Sequence, residues 1–440
     1  MKYLTSHTDY ETMLRVRYNS DTFSLDRMRR LLKKLGNPHE KIESVHIAGT
    51  KGKGSTAMML AAMLKSCGHR VGLYTSPHIC DIRERINVNG QKIPRTTFTR
   101  LMAKVAPHVE KMKDRPTFFE LFTAIAFCYF NDEKVDIAVV ETGLGGRLDS
   151  TNVLTPAVCG LTSISMDHMH QLGKTISEIT REKAGIMKPD VPTISAPQNP
   201  QAKRVLRKAA SEAKTKLLFA GDDIEFSYRV ESSRRDGCHT RVCLTTPHSR
   251  FEHLPVPVLG EHQAVNCGLA LALLDQLKRR GMDIDDGKAI AGLHRVALPG
   301  RMELLSNDPR LLVDGAHNAA SVQALMRGIG QHIPYDSMVM VFGCGADKDI
   351  RGMMEQIATG ADKVILTRAA GNARAADPKD LAELYTEMSD GRIAQIVPDL
   401  KDALRTASAA VHREDLIVVT GSFYLVGEAK ILLEKVDAKA

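Results

Sequence analysis

Lys53 stands between two glycines in Gly49-Thr50-Lys51-Gly52-Lys53-Gly54-Ser55-Thr56, and the hydroxyl residues follow only after Gly54. Those residue types in that order suit the cradling of phosphate. Glycines let backbone N–H groups close on phosphate oxygens, and a helix opening behind the loop adds the partial positive charge of its N-terminus. The Lys53 ammonium then reaches the outer phosphates, and the hydroxyl of Ser55 or Thr56 is placed to hold Mg²⁺. Three further polar groups follow apolar, partly β-branched runs: Ser76 after 70–74, Glu141 at the end of 135–141, and His168 beyond 158–164. Active groups of a parallel nucleotide-binding sheet gather at the carboxyl ends of its strands, and an acid there works on Mg²⁺. The glycines of Thr142-Gly143-Leu144-Gly145-Gly146 bring backbone close to something immediately after that acid.

The elements that must position these groups are legible around them. An apolar run at 44–48 leads into the glycine loop, a stretch of strong helix formers at 57–64 leaves it, and 70–74 reads as the next strand. That is a β-α-β unit, which implies a parallel sheet with a right-handed crossover. Apolar positions 25, 28, 31, 32 and 35 predict an amphipathic helix, capped by Ser24 and stopped by Gly36-Asn37-Pro38. Helices are expected at 97–112, 120–130, from about 175, at 267–279 and at 286–294, with a strand at 193–195. Asn89-Gly90 marks a hairpin tip. From about 215 to 260 short alternating runs with charged turns predict a small antiparallel sheet. Leu298-Pro299-Gly300-Arg301-Met302-Glu303 has the composition of a linker, and β and α signals alternate again beyond it, with strands at 310–313, 337–342, 363–366 and 416–419. The expected fold is therefore α/β. A P-loop-type parallel-sheet ATPase unit, residues 1–297, carries a small β subdomain, and a Rossmann-like unit follows at 298–440.

Composition narrows the partners. The chain has 440 residues, 43% of them hydrophobic, enough for more than one buried core. Its eight cysteines are scattered without a CxxC pair, the usage of buried thiols in a reducing cytosol, and no disulfide framework or zinc site is expected. No signal-type apolar core follows Met1 and no stretch approaches the roughly 18 apolar residues of a membrane span, so a cytoplasmic protein is expected. The net charge of +8 fits polyanionic small molecules as well as nucleic acid. Basic residues are dispersed apart from clusters such as 203–208 and Arg234-Arg235. Aromatics make up 5% of the chain and tryptophan is missing, so stacking platforms for single strands are scarce and no nucleic-acid partner is expected.

Taken together, these stretches resemble the folylpolyglutamate synthases and dihydrofolate synthases of the Mur ligase superfamily. The resemblance rests on Gly49–Ser55, Tyr74-Thr75-Ser76-Pro77-His78, Glu141–Asn152, Asp167-His168, Arg181–Ile186, Leu298–Glu303, Asp314-Gly315-Ala316-His317-Asn318, Ala346-Asp347-Lys348-Asp349 and Thr420-Gly421-Ser422-Phe423. They occur in family order along nearly the whole chain. The implied reaction is ATP-dependent: the acceptor carboxylate of a folate or dihydropteroate becomes an acyl phosphate, and the amine of L-glutamate attacks it to give an amide, ADP and phosphate.

The resemblance also implies roles. Lys53 takes the β/γ-phosphate, within a nucleotide site that includes Gly49, Thr50, Gly52, Gly54, Ser55 and Thr56. Ser76, Glu141 and His168 are Mg²⁺ ligands with Ser55 a further candidate, and Lys183 matches a lysine that becomes carbamylated. Asn266, Arg301 and Asp314 match positions that hold adenine, phosphate and ribose. His317 matches a glutamate-side position with a catalytic part, Ser422 lies near it, and Asp149 falls where the pterin binds. ATP, Mg²⁺ and a monovalent cation are the implied cofactors, and a monomer is expected. Two residues depart from the pattern: Lys51 replaces the commoner asparagine, and Ala319 the usual proline; neither removes a reacting group. Another Mur-superfamily amide ligase is the nearest alternative, followed by a P-loop hydrolase without ligation and a nucleic-acid-binding ATPase.

Overall fold

Runs of β-branched residues between helix formers build the chain into strands that neighbouring helices cover. A computed structural model describes residues 2–5, 7, 8, 19, 22–233, 237–256, 258–372 and 374–437; Arg234 and Arg235 lie outside them. Among the described residues the strands form three sheets.

The first sheet comprises β1 (Ser44–Ala48), β2 (Val71–Tyr74), β3 (Ile86–Val88), β4 (Gln91–Lys92), β5 (Ile137–Glu141), β6 (Val158–Leu161), β7 (Thr193–Ser195) and β8 (Leu217–Phe219). Their order is β4-β3-β2-β5-β1-β6-β7-β8, antiparallel only at the β2–β3–β4 hairpin end. Register aligns the carboxyl ends: Ile47 lies opposite Glu141, Ala48 opposite Leu161, and Tyr74 opposite Val140. The phosphate loop, Ser76, Glu141 and the chain leading to His168 therefore leave the sheet at one level.

Helices cover both faces. Helix α1 (Leu25–Lys34) takes its N-cap from Ser24, whose Oγ accepts from Arg27 N. Helix α2 (Lys53–Ser66) starts inside the phosphate loop. Helix α3 (Phe118–Asp132) buries Phe118, Leu121, Phe122, Ile125, Phe127 and Phe130. Each such side chain contributes about 1.5–3 kcal/mol relative to exposure, which makes this helix the anchor of one core layer. Helix α4 (Ile176–Ala184) opens with a capping box between Thr175 and Glu178. Helix α5 (Glu261–Arg279) lies against β6, where a Cβ on Gly160 would stand 2.9 Å from Leu273.

The second sheet is antiparallel, in the order β11 (Arg250–Val256), β10 (Gly237–Thr245), β9 (Glu225–Ser233). The expected boundary near 215 shifts here, because Leu217–Phe219 pairs in parallel with β7 and extends the main sheet. Three residues are too few for a hydrophobic alternation to show which sheet they join.

The third sheet runs β12 (Glu303–Asn307), β13 (Arg310–Asp314), β17 (Leu416–Thr420), β14 (Met338–Phe342), β15 (Lys363–Leu366), β16 (Gln395–Ile396). It is parallel except for the β12–β13 hairpin. Helix α6 (Ala319–His332) follows β13, and helix α7 (Phe423–Asp437) follows β17. Asp314 and Phe342 both lie opposite Thr420, so this sheet also presents its functional loops from one edge.

Candidate active site

The phosphate loop needs its glycines for space as well as for backbone angle. Gly49 has φ +150°, and a Cβ there would sit 1.8 Å from Thr162 Oγ1. Gly52, the N-cap of α2 at φ +87°, would push a Cβ to 1.9 Å from Asn266 Oδ1. Loop and α5 are thus fitted together, and Thr56 Oγ1 also donates to the Asn266 carbonyl at 3.5 Å. Asn266 is held in turn by Gln263, whose Oε1 accepts from Nδ2 at 2.9 Å. Thr50 secures the other flank, its N–H donating to Ser163 O at 3.0 Å and its hydroxyl to Ser165 O at 3.1 Å.

Lys53 is the first residue of α2, and its Nζ lies 3.8 Å from Glu141 Oε1. The other oxygen of Glu141 accepts from Ser76 N at 3.0 Å. Burial pushes this carboxyl above the usual range, opposed by Lys53, the Ser76 N–H and the cations Arg301 and Arg85. Arg301 arrives from the β12 side: a Cβ on Gly54 would meet Arg301 Nη2 at 3.0 Å and Glu141 Oε2 at 3.3 Å. The glycine after Lys53 therefore keeps open the point where a carboxylate from the first sheet faces a guanidinium from beyond the linker. Arg301 is steadied by the Pro299 carbonyl, which accepts at 3.0 Å, and by the Phe423 ring, 5.3 Å beneath it.

Lys183, near the end of α4, is buried and donates to Gly49 O at 2.7 Å. Burial and the neighbouring Lys53 bring its ammonium down to about 7. His168 adopts a left-handed backbone at φ 48°. His168 is exposed as a residue, while its imidazole is brought down to about 4 by the protein packed around it, Asp167 opposing and Lys348, Lys183 and Lys53 adding to the shift. Beside it, Asp167 is held near 2; burial works the other way but is outweighed by His168, His317 and Lys348. Asp167 follows the first sheet while His317 and Lys348 belong to the third, so the Asp167 carboxylate meets the Lys348 ammonium and the His317 ring between the two.

In the third sheet's loops, Asp314 accepts from Met302 N and Ala316 N, each at 2.8 Å, and burial raises it to about 6. The His317 Nδ1–H donates to Gly315 O at 2.8 Å, so the ring lone pair is left on Nε2. Burial, followed by Lys348, lowers its pKa, which leaves that nitrogen a neutral acceptor.

Two expected substrate residues also have structural partners. Asp149 Oδ2 accepts from Gly143 N and Leu144 N, both at 2.9 Å, while Oδ1 accepts from Thr151 N and Thr151 Oγ1. Four donors occupy the Asp149 carboxylate, which thereby folds the glycine-rich loop around it. The Ser422 hydroxyl accepts from Leu425 N at 3.1 Å and serves the start of α7. Sequence reading assigned no part to Phe423, or to Asp167 and Lys348 singly, although the motifs Asp167-His168 and Ala346–Asp349 contain the latter two. Only the folded chain shows that these motifs face each other.

The donor set suits a hard divalent ion. Ser55, Ser76 and Glu141 offer oxygen, His168 is neutral, and the Gly54 position leaves room that a Cβ would fill. No group of three His, Cys, Asp or Glu side chains that could hold a metal ion is preformed among the described residues. No helix among the described residues is long and apolar enough to cross a membrane.

Comparison with known proteins covers both sheet units. Residues 47–274 match the Mur ligase middle domain, and residues 300–423 match the Mur ligase, glutamate ligase domain. A Bacillus subtilis dihydrofolate synthase/folylpolyglutamate synthase is 34% identical over 412 residues, spanning 92% of this chain and 94% of the relative. A Haloferax volcanii protein, a probable bifunctional folylpolyglutamate synthase/dihydropteroate synthase, is 35% identical over 92% of this chain, which spans only 47% of that longer relative. Among solved structures, Escherichia coli FolC in complex with DHPP and ADP superposes with a TM-score of 0.85 at 28% identity, covering 100% of this chain and 97% of the other.

Proposed function

The chain belongs to the Mur ligase superfamily, among the folylpolyglutamate and dihydrofolate synthases, and from that membership we propose that it adds L-glutamate to dihydropteroate, to reduced folates or to both, using ATP. The observation that carries this reading is the meeting at Gly54, where Arg301 from beyond the linker faces Glu141 and the phosphate loop. A P-loop hydrolase needs no second α/β unit at its phosphates, whereas a ligase must bring a third reactant to them.

Residues 1–297 would act as the ATP unit and 298–440 as the glutamate unit. The acceptor carboxylate oxygen attacks the γ-phosphorus of ATP and ADP leaves. The glutamate nitrogen then attacks the acyl carbon, phosphate departs, and the nitrogen gives up its proton. Lys53 and Arg301 offset the negative charge gathered when two anions meet, within a site that closure of the two units keeps dry. Ser76, Glu141 and His168, with Ser55 or Thr56, would hold Mg²⁺, which when bound neutralises phosphate charge. Asp314 accepts from the nucleotide's ribose and Asn266 faces its base. His317 Nε2 is available to take the proton of the incoming amine, and Lys348 lies close enough to Asp167 and His317 to balance the glutamate's own charge. Lys183, with an ammonium near 7, supplies the neutral amine that adds CO₂ and releases a proton to become a carbamate. Activity of this kind belongs in the cytoplasm, and a monomer with a monovalent-cation requirement accords with it.

The test is phosphate release from ATP and Mg²⁺ with dihydropteroate or tetrahydrofolate as acceptor. Release that requires both the acceptor and L-glutamate is the expected result. Release without an acceptor would establish a hydrolase, and turnover only with an unrelated carboxylate would point to another amide ligase of the superfamily. Comparing the two acceptors at equal concentration assigns the substrate.

A further inference from the structure

The loop between β2 and the hairpin end of the first sheet touches both halves of the protein. At one end Ser76 N donates to Glu141 Oε2 at 3.0 Å. Three residues on, Ile79 leaves the first sheet's surroundings and packs into the core of the third, with Leu425, Val426 and the side of β13. Its backbone is seated there without slack: a Cβ on Gly427 of α7 would stand 2.1 Å from Ile79 O and 3.0 Å from Ile79 C. Next along the loop, Cys80 Sγ donates to Gly427 O at 3.7 Å. The Ile79 side chain also reaches the linker, where a Cβ on Gly300 would meet Ile79 Cδ1 at 3.0 Å, Val426 Cγ1 at 3.3 Å and Phe423 Cε1 at 3.4 Å. Glu84 fixes the loop from the first-sheet side, its carboxylate accepting from Ile79 N at 2.8 Å and Asp81 N at 2.9 Å.

We infer that Ile79 and Gly427 are positioning residues: the seat of helix α7 on the Ile79 carbonyl sets the placement of the loop that carries Ser76 against Glu141. The short stretch from Ser76 to Cys80 then reports to the phosphate end of the site whether the glutamate unit is docked. Neither residue touches the reacting groups. Phe423, at the start of the same helix, lies under Arg301, so one rigid helix holds both the Ser76 loop and the arginine that faces Gly54. Glycine is required at 427 because helical backbone must approach another backbone carbonyl closer than any side chain permits. The inference rests on the proposed reading of Ser76 and Glu141 as ligands of the divalent ion.

The test uses the full chain with Gly427→Ala, Ile79→Ala, Ser76→Ala and, as a control, Gly330→Ala, where nothing lies within 4 Å of the added carbon. Two readouts are taken besides turnover: hydrogen exchange of the segment 76–81 in the protein alone, and Mn²⁺ affinity with a non-hydrolysable ATP analogue, followed by the free-ion electron paramagnetic resonance signal. The expected result for Gly427→Ala is faster exchange in 76–81, Mn²⁺ affinity lowered at least about fivefold and kcat lowered about tenfold or more, while β1 and β5 stay protected. Ile79→Ala, which adds no clash, moves the same readouts in the same direction by less. If Ser76→Ala weakens Mn²⁺ binding but Gly427→Ala and Ile79→Ala do not, the inference is overturned and the ligand reading stands. If none of the three changes Mn²⁺ affinity, the ligand reading fails and the inference falls with it. A Gly427→Ala protein that loses protection throughout, with Ile79→Ala unchanged, also overturns it.

Discussion

The Lys183 ammonium donates to the Gly49 carbonyl at 2.7 Å, which ties the end of helix α4 to the first residue of the phosphate loop. The lysine comes from the crossover after β6 and the glycine from the end of β1, so any change of state at Lys183 is felt in the glycine loop.

Removing that amine is expected to be severe. Lys183→Ala should lower phosphate release by about 10²–10³-fold, the range lost when one fixed charge or donor is taken from a reaction centre. A short carboxylic acid in the assay should restore part of the rate if a carbamate is the working form, and a fully active variant would remove the role. The pH dependence of stability supplies an independent check. The buried ammonium titrates at about 7 against an ordinary 10.5, so between those values the unfolded chain holds a proton that the native chain lacks. Stability should therefore rise with pH across that window, and denaturant unfolding of Lys183→Met should show a flatter rise.

Asp314 gives a prediction at lower pH. Burial raises its carboxyl to about 6. As pH falls through 6 the group gains a proton and ceases to be an anionic acceptor for ribose hydroxyls. Nucleotide affinity measured by calorimetry should hold between pH 7 and 8 and weaken below 6. Asp314→Asn should bind more weakly at neutral pH and lose that step; a variant with the wild-type profile would detach Asp314 from the nucleotide.

Gly52 should tolerate no side chain. Alanine there meets a left-handed φ of +87° and Asn266 Oδ1 at 1.9 Å, so the loop or α5 must shift. The strain alone is about 1–2 kcal/mol, and the displaced loop should cost most of the ATP affinity. A Gly52→Ala/Asn266→Ala pair relieves the contact but not the backbone angle, so it should recover stability in part without recovering affinity. Thermal unfolding and nucleotide titration of both variants decide this.

What the sequence displayed, and what it concealed, follows from the range of each interaction. Strand ends at Glu141 and Ser76 were legible because apolar runs stop there, and the capping residue Ser24 because caps are local. The phosphate loop was legible because its glycines and lysine are contiguous. The partners of Asp149 were concealed: its oxygens accept from N–H groups two to six residues away in a loop whose path no periodicity describes. Ile79 and Gly427 carry no pattern of their own, since a tight backbone contact between residues so far apart in sequence exists only once both sheets are built. Arg27 was concealed for the same reason. It lies in a run of charges on a helix that looks polar at that position, yet it is buried.

That burial leads to the last prediction. Arg27 Nε donates to Glu120 Oε2 at 2.8 Å and Oε1 at 3.0 Å, and the two side chains are only 6% and 4% exposed. Burial pushes the Glu120 carboxyl up, and the guanidinium together with the Thr117 N–H pulls it back. Arg27→Ala leaves a buried carboxylate without its cation and should cost about 3–5 kcal/mol. The pair Arg27→Met/Glu120→Gln removes both charges. It fills the arginine's apolar volume and keeps a side-chain oxygen for Thr117 N, which Glu120 now serves at 2.7 Å. It should therefore recover most of that loss. Denaturant unfolding of the single and double variants separates the two contributions. If the double variant is as unstable as Arg27→Ala alone, the cost lies in the guanidinium's other hydrogen bonds, to Asp114 and the Thr22 carbonyl, and not in the stranded charge.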